Sequence, residues 1–308
     1  MNKPDQQIFP DNVRSIAVVS AAGAASLQDI ENAVSLLRSY GIKVSLALPE
    51  RSIHTPSYLA ADAAARIEFF NRAANDPTID MILCVRGGFG SMHMLEQIDY
   101  AALRRRNLPV MGYSDITALH CAMLANHAGT PIAGSNLLSL HQVQQHQLSI
   151  QSHYAALDNS ATAHHITLPD ALQSVIPAAN IQVTAKASAC NLTVLTAFCG
   201  TPFMPDFSGR ILILEDINEP VYKLDRMLTQ LALNGVFDHI AALIFGSFSG
   251  NDVKQSDLDL LMKRIASEIA APCLKNFPFG HTFPMCAVNG RKKLSLAAGQ
   301  SALLTAAD

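Results

Sequence analysis

The chain carries little charge, and that charge is balanced. Asp, Glu, Lys and Arg make up 15% of its 308 residues and leave a net charge of −3. Nucleic acid and anionic membrane surfaces therefore have no electrostatic reason to be its partners. The N-terminal stretch MNKPDQQIFPDNVRS is polar and lacks the apolar core of a signal peptide, so the expected location is the cytoplasm. Long hydrophobic runs are missing as well. The most apolar early segment, Ile16 to Ala25, is interrupted by Ser20 and Gly23 and is too short to span a bilayer. The six cysteines are scattered with no C-x-x-C pair and read as buried, reduced thiols. No spacing suggests a metal site, and no cofactor is expected. What is abundant is apolar surface: 49% of residues, ample for a sizeable core.

Periodicity alternates along the first ~135 residues. Arg14 to Val19 reads as a strand. Ser26 opens a helix with apolar residues at 27, 30, 34 and 37, and Gly41 closes it. Strand-like segments at Ile42–Leu48, Ile79–Val85 and Leu108–Tyr113 alternate with helical ones at Asp62–Asn75 and Ile116–His127. This β-α-β-α order predicts a parallel, doubly wound sheet. The segment from His141 to Ala189, with HQVQQHQ and SATAHH, has weak periodicity and reads as a solvated connection between domains, partly helical at its start, whose histidines lack a second ligand set. Beyond it the pattern resumes with more strand. The expected organisation is an α/β protein with an N-terminal domain over residues 1–140, a linker over 141–189 and a smaller, more β-rich α/β domain over 190–308.

Four motifs stand at strand ends. Gly112-Tyr113-Ser114-Asp115 follows an apolar strand and opens a helix, which would place the Ser114 hydroxyl at the carboxyl edge of a parallel sheet with the Asp115 amide free for an oxyanion. The alternative is that Ser114 is only a helix cap; the second glycine of G-x-S-x-G is absent. Arg86-Gly87-Gly88-Phe89-Gly90-Ser91 ends the neighbouring strand. Its spacing fits neither G-x-G-x-x-G nor a Walker loop, but Gly87 or Gly88 could supply a second oxyanion donor. Arg86 could bind a substrate carboxylate or form a structural ion pair. Leu214 to Glu219, LEDINE, offers an acid able to orient a histidine. Phe277 to Pro284, FPFGHTFP, holds His281 in a loop of aromatics, Pro and Gly.

Taken together and in order, VRGGFGSMHMLEQIDY, GYSDITALH, ILILEDINEPVYKLDRMLTQL and FGH resemble the LD-carboxypeptidase family of serine peptidases from about Arg14 to Leu296. The resemblance implies a flavodoxin-like N-terminal domain joined to a smaller C-terminal domain, usually as a homodimer. It also implies a triad of Ser114 as nucleophile, His281 as general base and Glu215 as the acid that orients it, with Glu219 as an alternative acid. The oxyanion donors would be Asp115 and Gly88, with Gly87 and Arg86 at the substrate. The implied reaction is release of terminal D-alanine from murein tetrapeptides in cytoplasmic cell-wall recycling, without a metal. Two departures from the family pattern are Ala189-Cys190 before Asn191-Leu192, where the family usually has Gly-Gly, and Val288-Asn289-Gly290, where it tends to have Pro-x-Gly. A second implied function is that of an immunity peptidase cleaving a peptide-nucleotide antibiotic. Those relatives often stack the base on Trp, which this chain lacks. A non-enzymatic nucleotide-binding module built on RGGFGS would leave Ser114, Glu215 and His281 apart in space.

Overall fold

Five short apolar strands form the first sheet: β1 (Ser15–Val19), β2 (Lys43–Ala47), β3 (Met81–Cys84), β4 (Pro109–Gly112) and β5 (Thr130–Ala133). They pair in parallel in the order β5-β4-β3-β1-β2, the flavodoxin-like winding. All four β3 residues are buried because helices cover both faces. The helices are α1 (Leu27–Ser39), α2 (Ala63–Asn75), α3 (Tyr100–Arg106) and α4 (Thr117–Ala125). As the spacing predicts, Ser26 caps α1, its hydroxyl accepting from the Asp29 amide at 3.1 Å. The computed structural model describes residues 7–177, 181–250 and 253–300, together with the backbone of 302–306. The first six residues of the N-terminal domain and residues 178–180 of the expected linker lie outside these.

The stretch expected to be a solvated linker is helical at its start, as expected, but it is buried and carries strands as well. It contains α5 (Leu140–Val143), α6 (Gln147–Leu157), β6 (His164–Thr167), β7 (Gln173–Ser174) and β8 (Gln182–Asn191). The helix α6 escapes a hydropathy reading because its inner face is partly polar. Ser149 accepts from the Met285 amide at 2.9 Å, Ser152 from that of Ala287 at 3.1 Å, and His153 Nε2 from that of Ser135 at 3.0 Å. Strand β8 is hidden differently: its buried half is the small-residue run ASAC.

The second half adds α7 (Leu192–Thr196), β9 (Ile211–Ile217), α8 (Val221–Leu233), β10 (Ala242–Ser249), α9 (Gln255–Glu268), β11 (Cys273–Lys275), β12 (Val288–Asn289), β13 (Lys293–Ala297) and β14 (Ala302–Ala306). Its eight-stranded sheet runs β6-β14-β13-β8-β9-β10-β11-β7, parallel from β8 through β11 and antiparallel outside. One strand crosses over: β12 pairs antiparallel with β5 and becomes the sixth strand of the first sheet. No helix among the described residues is long and apolar enough to cross a membrane.

Two buried histidines tie this frame to pH. His120 bonds to the Val110 carbonyl at 3.0 Å and His153 to that of Ser149 at 2.7 Å. Desolvation pushes both down to about 4 despite those bonds, so both are neutral in the fold. Unfolded, each titrates near about 6.5. The stability they contribute is complete above that value and is lost as pH falls toward 4. At pH 5 the expected loss is on the order of 2 kcal/mol per histidine relative to pH 8. Urea denaturation at the two pH values measures it. His153→Gln should flatten the dependence, and an unchanged slope in that variant would exclude His153 as a source.

Candidate active site

Strand β4 ends at Gly112, and the chain turns sharply into a 3-10 turn, Ser114–Ile116, ahead of α4. Ser114 has φ +65°, a left-handed conformation that costs a non-glycine residue about 1 kcal/mol or more. The turn is held by its neighbours. Asn136 Oδ1 accepts from the Tyr113 amide at 3.3 Å. The Asp115 carboxylate accepts from the Ser91 amide at 2.9 Å, and its carbonyl from the Ser91 hydroxyl at 2.6 Å. The second pair fastens the glycine loop after β3 to the serine turn. Gly87 shows how tight that join is. A Cβ on it would stand 2.8 Å from Ser114 Cβ and 3.2 Å from the Asp115 nitrogen, so only glycine fits there.

The second half of the molecule completes the group. Glu215, near the end of β9, is fully buried. His281 stands in the loop after β11, brought close by Gly280, whose φ is +140° and where a Cβ would meet Glu215 Oε2 at 2.9 Å. His281 Nδ1 lies 2.8 Å from Glu215 Oε2, and His281 Nε2 lies 3.1 Å from Ser114 Oγ. The Tyr113 ring packs against the imidazole, centroids 5.1 Å apart. Burial pushes the Glu215 carboxyl up, opposed by the hydrogen bond and charge of His281 and by Asn191. Asn191 Nδ2 donates to Glu215 Oε1 at 3.1 Å, while its Oδ1 caps α7 by accepting from the Val194 amide at 3.1 Å. The next acid, Asp216, accepts from the amide and hydroxyl of Thr193. Glu219 pairs with Lys223 at 3.2 Å.

Both halves of the chain match family models. Residues 16–134 match the LD-carboxypeptidase N-terminal domain, and residues 184–296 match the LD-carboxypeptidase C-terminal domain. The chain belongs to the LD-carboxypeptidase family. It is similar to the murein tetrapeptide carboxypeptidase of Pseudomonas aeruginosa, at 28% identity over 86% of this chain and 87% of that one. A solved muramoyltetrapeptide carboxypeptidase from Oxalobacter formigenes superposes with a TM-score of 0.78 at 25% identity, covering 96% of this chain and 99% of its own. The microcin C7 self immunity protein MccF, solved in complex with aspartyl sulfamoyl adenosine, shares the fold. Its TM-score is 0.81 at 23% identity, with 97% of this chain and 98% of that one covered.

Ser114, Asp115, Gly87, Glu215 and His281 thus meet at one place in this LD-carboxypeptidase fold, with Gly88 and Arg86 beside Gly23 at its border and Glu219 paired elsewhere. The amides of Asp115 and Gly88 donate to no other group among the described residues. Arg86 forms no ion pair there; its Nη1 donates to the Ala24 carbonyl at 3.0 Å. Two important residues escape a motif reading. Asn191 could have been suspected as an Asn-x-x cap ahead of a short helix. Arg66 is a lone arginine on the buried face of α2, fully buried and donating to the carbonyls of Ala61, Ala21 and Gly90 at 2.9, 2.6 and 2.8 Å. It joins three loops around the site. A cavity of about 680 Å3 opens beside the His281 loop, lined in part by Gly246, Ser247, Phe248, Lys275, Thr282 and Phe283. The described residues contain no cluster of three or more His, Cys, Asp or Glu able to hold a metal ion.

Proposed function

We propose that Ser114, His281 and Glu215 are the catalytic triad of a serine LD-carboxypeptidase that releases the terminal D-alanine of murein tetrapeptides. The observation that carries this is the placement of one imidazole within hydrogen-bond reach of both a strained serine and a fully buried carboxylate. In this reading the Ser114 hydroxyl donates to His281 Nε2, and His281 Nδ1–H donates to Glu215. As Ser114 Oγ attacks the carbonyl of the L-centre, His281 takes its proton, and Glu215 stabilises the imidazolium. The amides of Asp115 and Gly88 receive the oxyanion. His281 then gives the proton to the departing amine of D-alanine, and a water activated by the same imidazole hydrolyses the acyl-enzyme. Action in the cytoplasm as a homodimer, implied by the family resemblance, completes the reading.

Incubation with a purified murein tetrapeptide should yield equimolar D-alanine and tripeptide, read by mass spectrometry. An intact tetrapeptide after incubation, with aspartyl sulfamoyl adenosine cleaved in parallel, would instead favour the immunity-peptidase reading.

A further inference from the structure

We propose that Arg86 binds the free carboxylate of the residue released from the substrate, which makes the Arg86-Gly87-Gly88 loop the element that confines the enzyme to chain ends. The inference rests on the reading of Ser114, His281 and Glu215 as an LD-carboxypeptidase triad and adds the subsite that such a reaction requires.

Position is the first argument. Arg86 directly precedes Gly87, the residue packed against Ser114 and the Asp115 amide. The departing amine must receive its proton from His281, so the leaving residue lies on the imidazole side of the serine. Its carboxylate carbon stands two bonds beyond that amine, roughly 2.5 Å further out. Tyr113 marks that side, with its ring against His281. Burial raises the Tyr113 phenol, and the Arg86 charge is among the groups that oppose the rise, so arginine and tyrosine lie within electrostatic reach of one another.

Availability is the second. Of the two arginines that bond to these loops, Arg66, on α2, is buried with its donors on three carbonyls. Arg86 is exposed, makes a single bond to the Ala24 carbonyl and forms no ion pair among the described residues. That one bond orients the guanidinium and leaves most of its planar fork of donors open, the arrangement that matches a carboxylate. Gly23 keeps the place clear. A Cβ there would stand 2.8 Å from the Gly87 carbonyl and 3.5 Å from Arg86 Nε. With the charge pinned at the rim, a peptide that continues beyond the scissile residue would meet the guanidinium with a neutral amide.

The test compares a murein tetrapeptide ending in D-alanine with the same peptide ending in D-alaninamide, using wild type, Arg86→Lys and Arg86→Met, with thermal melting to confirm folding. Wild type should favour the free acid by about 10- to 100-fold in kcat/KM, the range of a charged hydrogen bond. Arg86→Met should lose that preference through a fall confined to the acid, chiefly in KM, and Arg86→Lys should retain part of it. Equal falls on both peptides, or an acid preference that survives in Arg86→Met, would overturn the assignment of Arg86 while leaving the triad standing. Wild type that cleaves neither peptide would overturn the underlying reading and this proposal with it.

Discussion

Ser114→Ala should fold like the wild type and release no measurable D-alanine. The expected drop in kcat is at least about 10^4-fold, the scale seen when a triad serine is removed from a hydrolase. Folding is preserved because the strain at this position belongs to the backbone. Serine and alanine both carry a Cβ, so both meet the same penalty at φ +65°. The hydroxyl is not a cap for the following helix either: the 3-10 turn begins at Ser114, and its N-terminal boundary residue, Tyr113, makes no side-chain cap bond. Ser114→Gly separates the two properties further. Glycine enters the left-handed region without that penalty, so this variant should be equally inactive yet more stable than Ser114→Ala, by on the order of 1 kcal/mol. Peptide release and urea denaturation on the same preparations check both statements. Appreciable turnover by Ser114→Ala would remove it from the nucleophile's role.

Glu215→Gln should fall in kcat by roughly 10^3- to 10^4-fold, comparable to loss of the carboxylate from a serine-protease triad, although the side chain keeps its shape. The reason lies with Asn191. Its Oδ1 is engaged by the Val194 amide, so its Nδ2 must face the acid, and the acid must accept there as well as from His281. A carboxylate accepts on both sides; an amide accepts on one. If glutamine turns its oxygen to Asn191, its NH2 faces His281 Nδ1, and the imidazole must carry its proton on Nε2, where it cannot take one from Ser114. If it turns the other way, two NH2 groups oppose each other in a fully buried place. Stability should move differently from activity. Burial raises the Glu215 carboxyl, so the fold favours its protonated form, and its ionisation works against folding as pH rises above the ordinary carboxylate range. At pH 8 the variant should be no less stable than wild type. Activity within tenfold of wild type, measured on the tetrapeptide, would show that Glu215 does not orient the base.

The sequence made some parts of this molecule legible and hid others for definable reasons. Strands such as β3 and β9 are nearly unbroken apolar runs bounded by turn residues, and their type and place are plain. The residues that meet at the site were also legible, since each stands at a strand end or in a glycine-containing loop. The burial of segment 141–189 is hidden because its interior relies on Ser149, Ser152 and His153 to satisfy the backbone of other loops. A hydropathy pattern counts such residues as solvent-facing. The cross-links Asn191–Glu215 and Arg66–Gly90 join residues 24 positions apart, and no local pattern reports them. The sequence suggests an oxyanion role for the Asp115 amide and a first-turn charge for its side chain, whereas that side chain anchors the glycine loop through Ser91.

The antiparallel pairing of Val288–Asn289 with β5 bears on the order of events during synthesis. The first sheet can wind as soon as β5 emerges, yet its outer edge then offers unpaired amides and carbonyls to any passing strand. The two residues that cover this edge arrive more than 150 positions later, by which time His281 has already been made. Closure of the edge and delivery of the imidazole to Ser114 thus fall to the same late stretch of chain. A nascent protein stalled before it would lack the imidazole beside Ser114 and would also be inclined to self-associate, so any partner that shields β5 during translation would protect the yield of complete molecules.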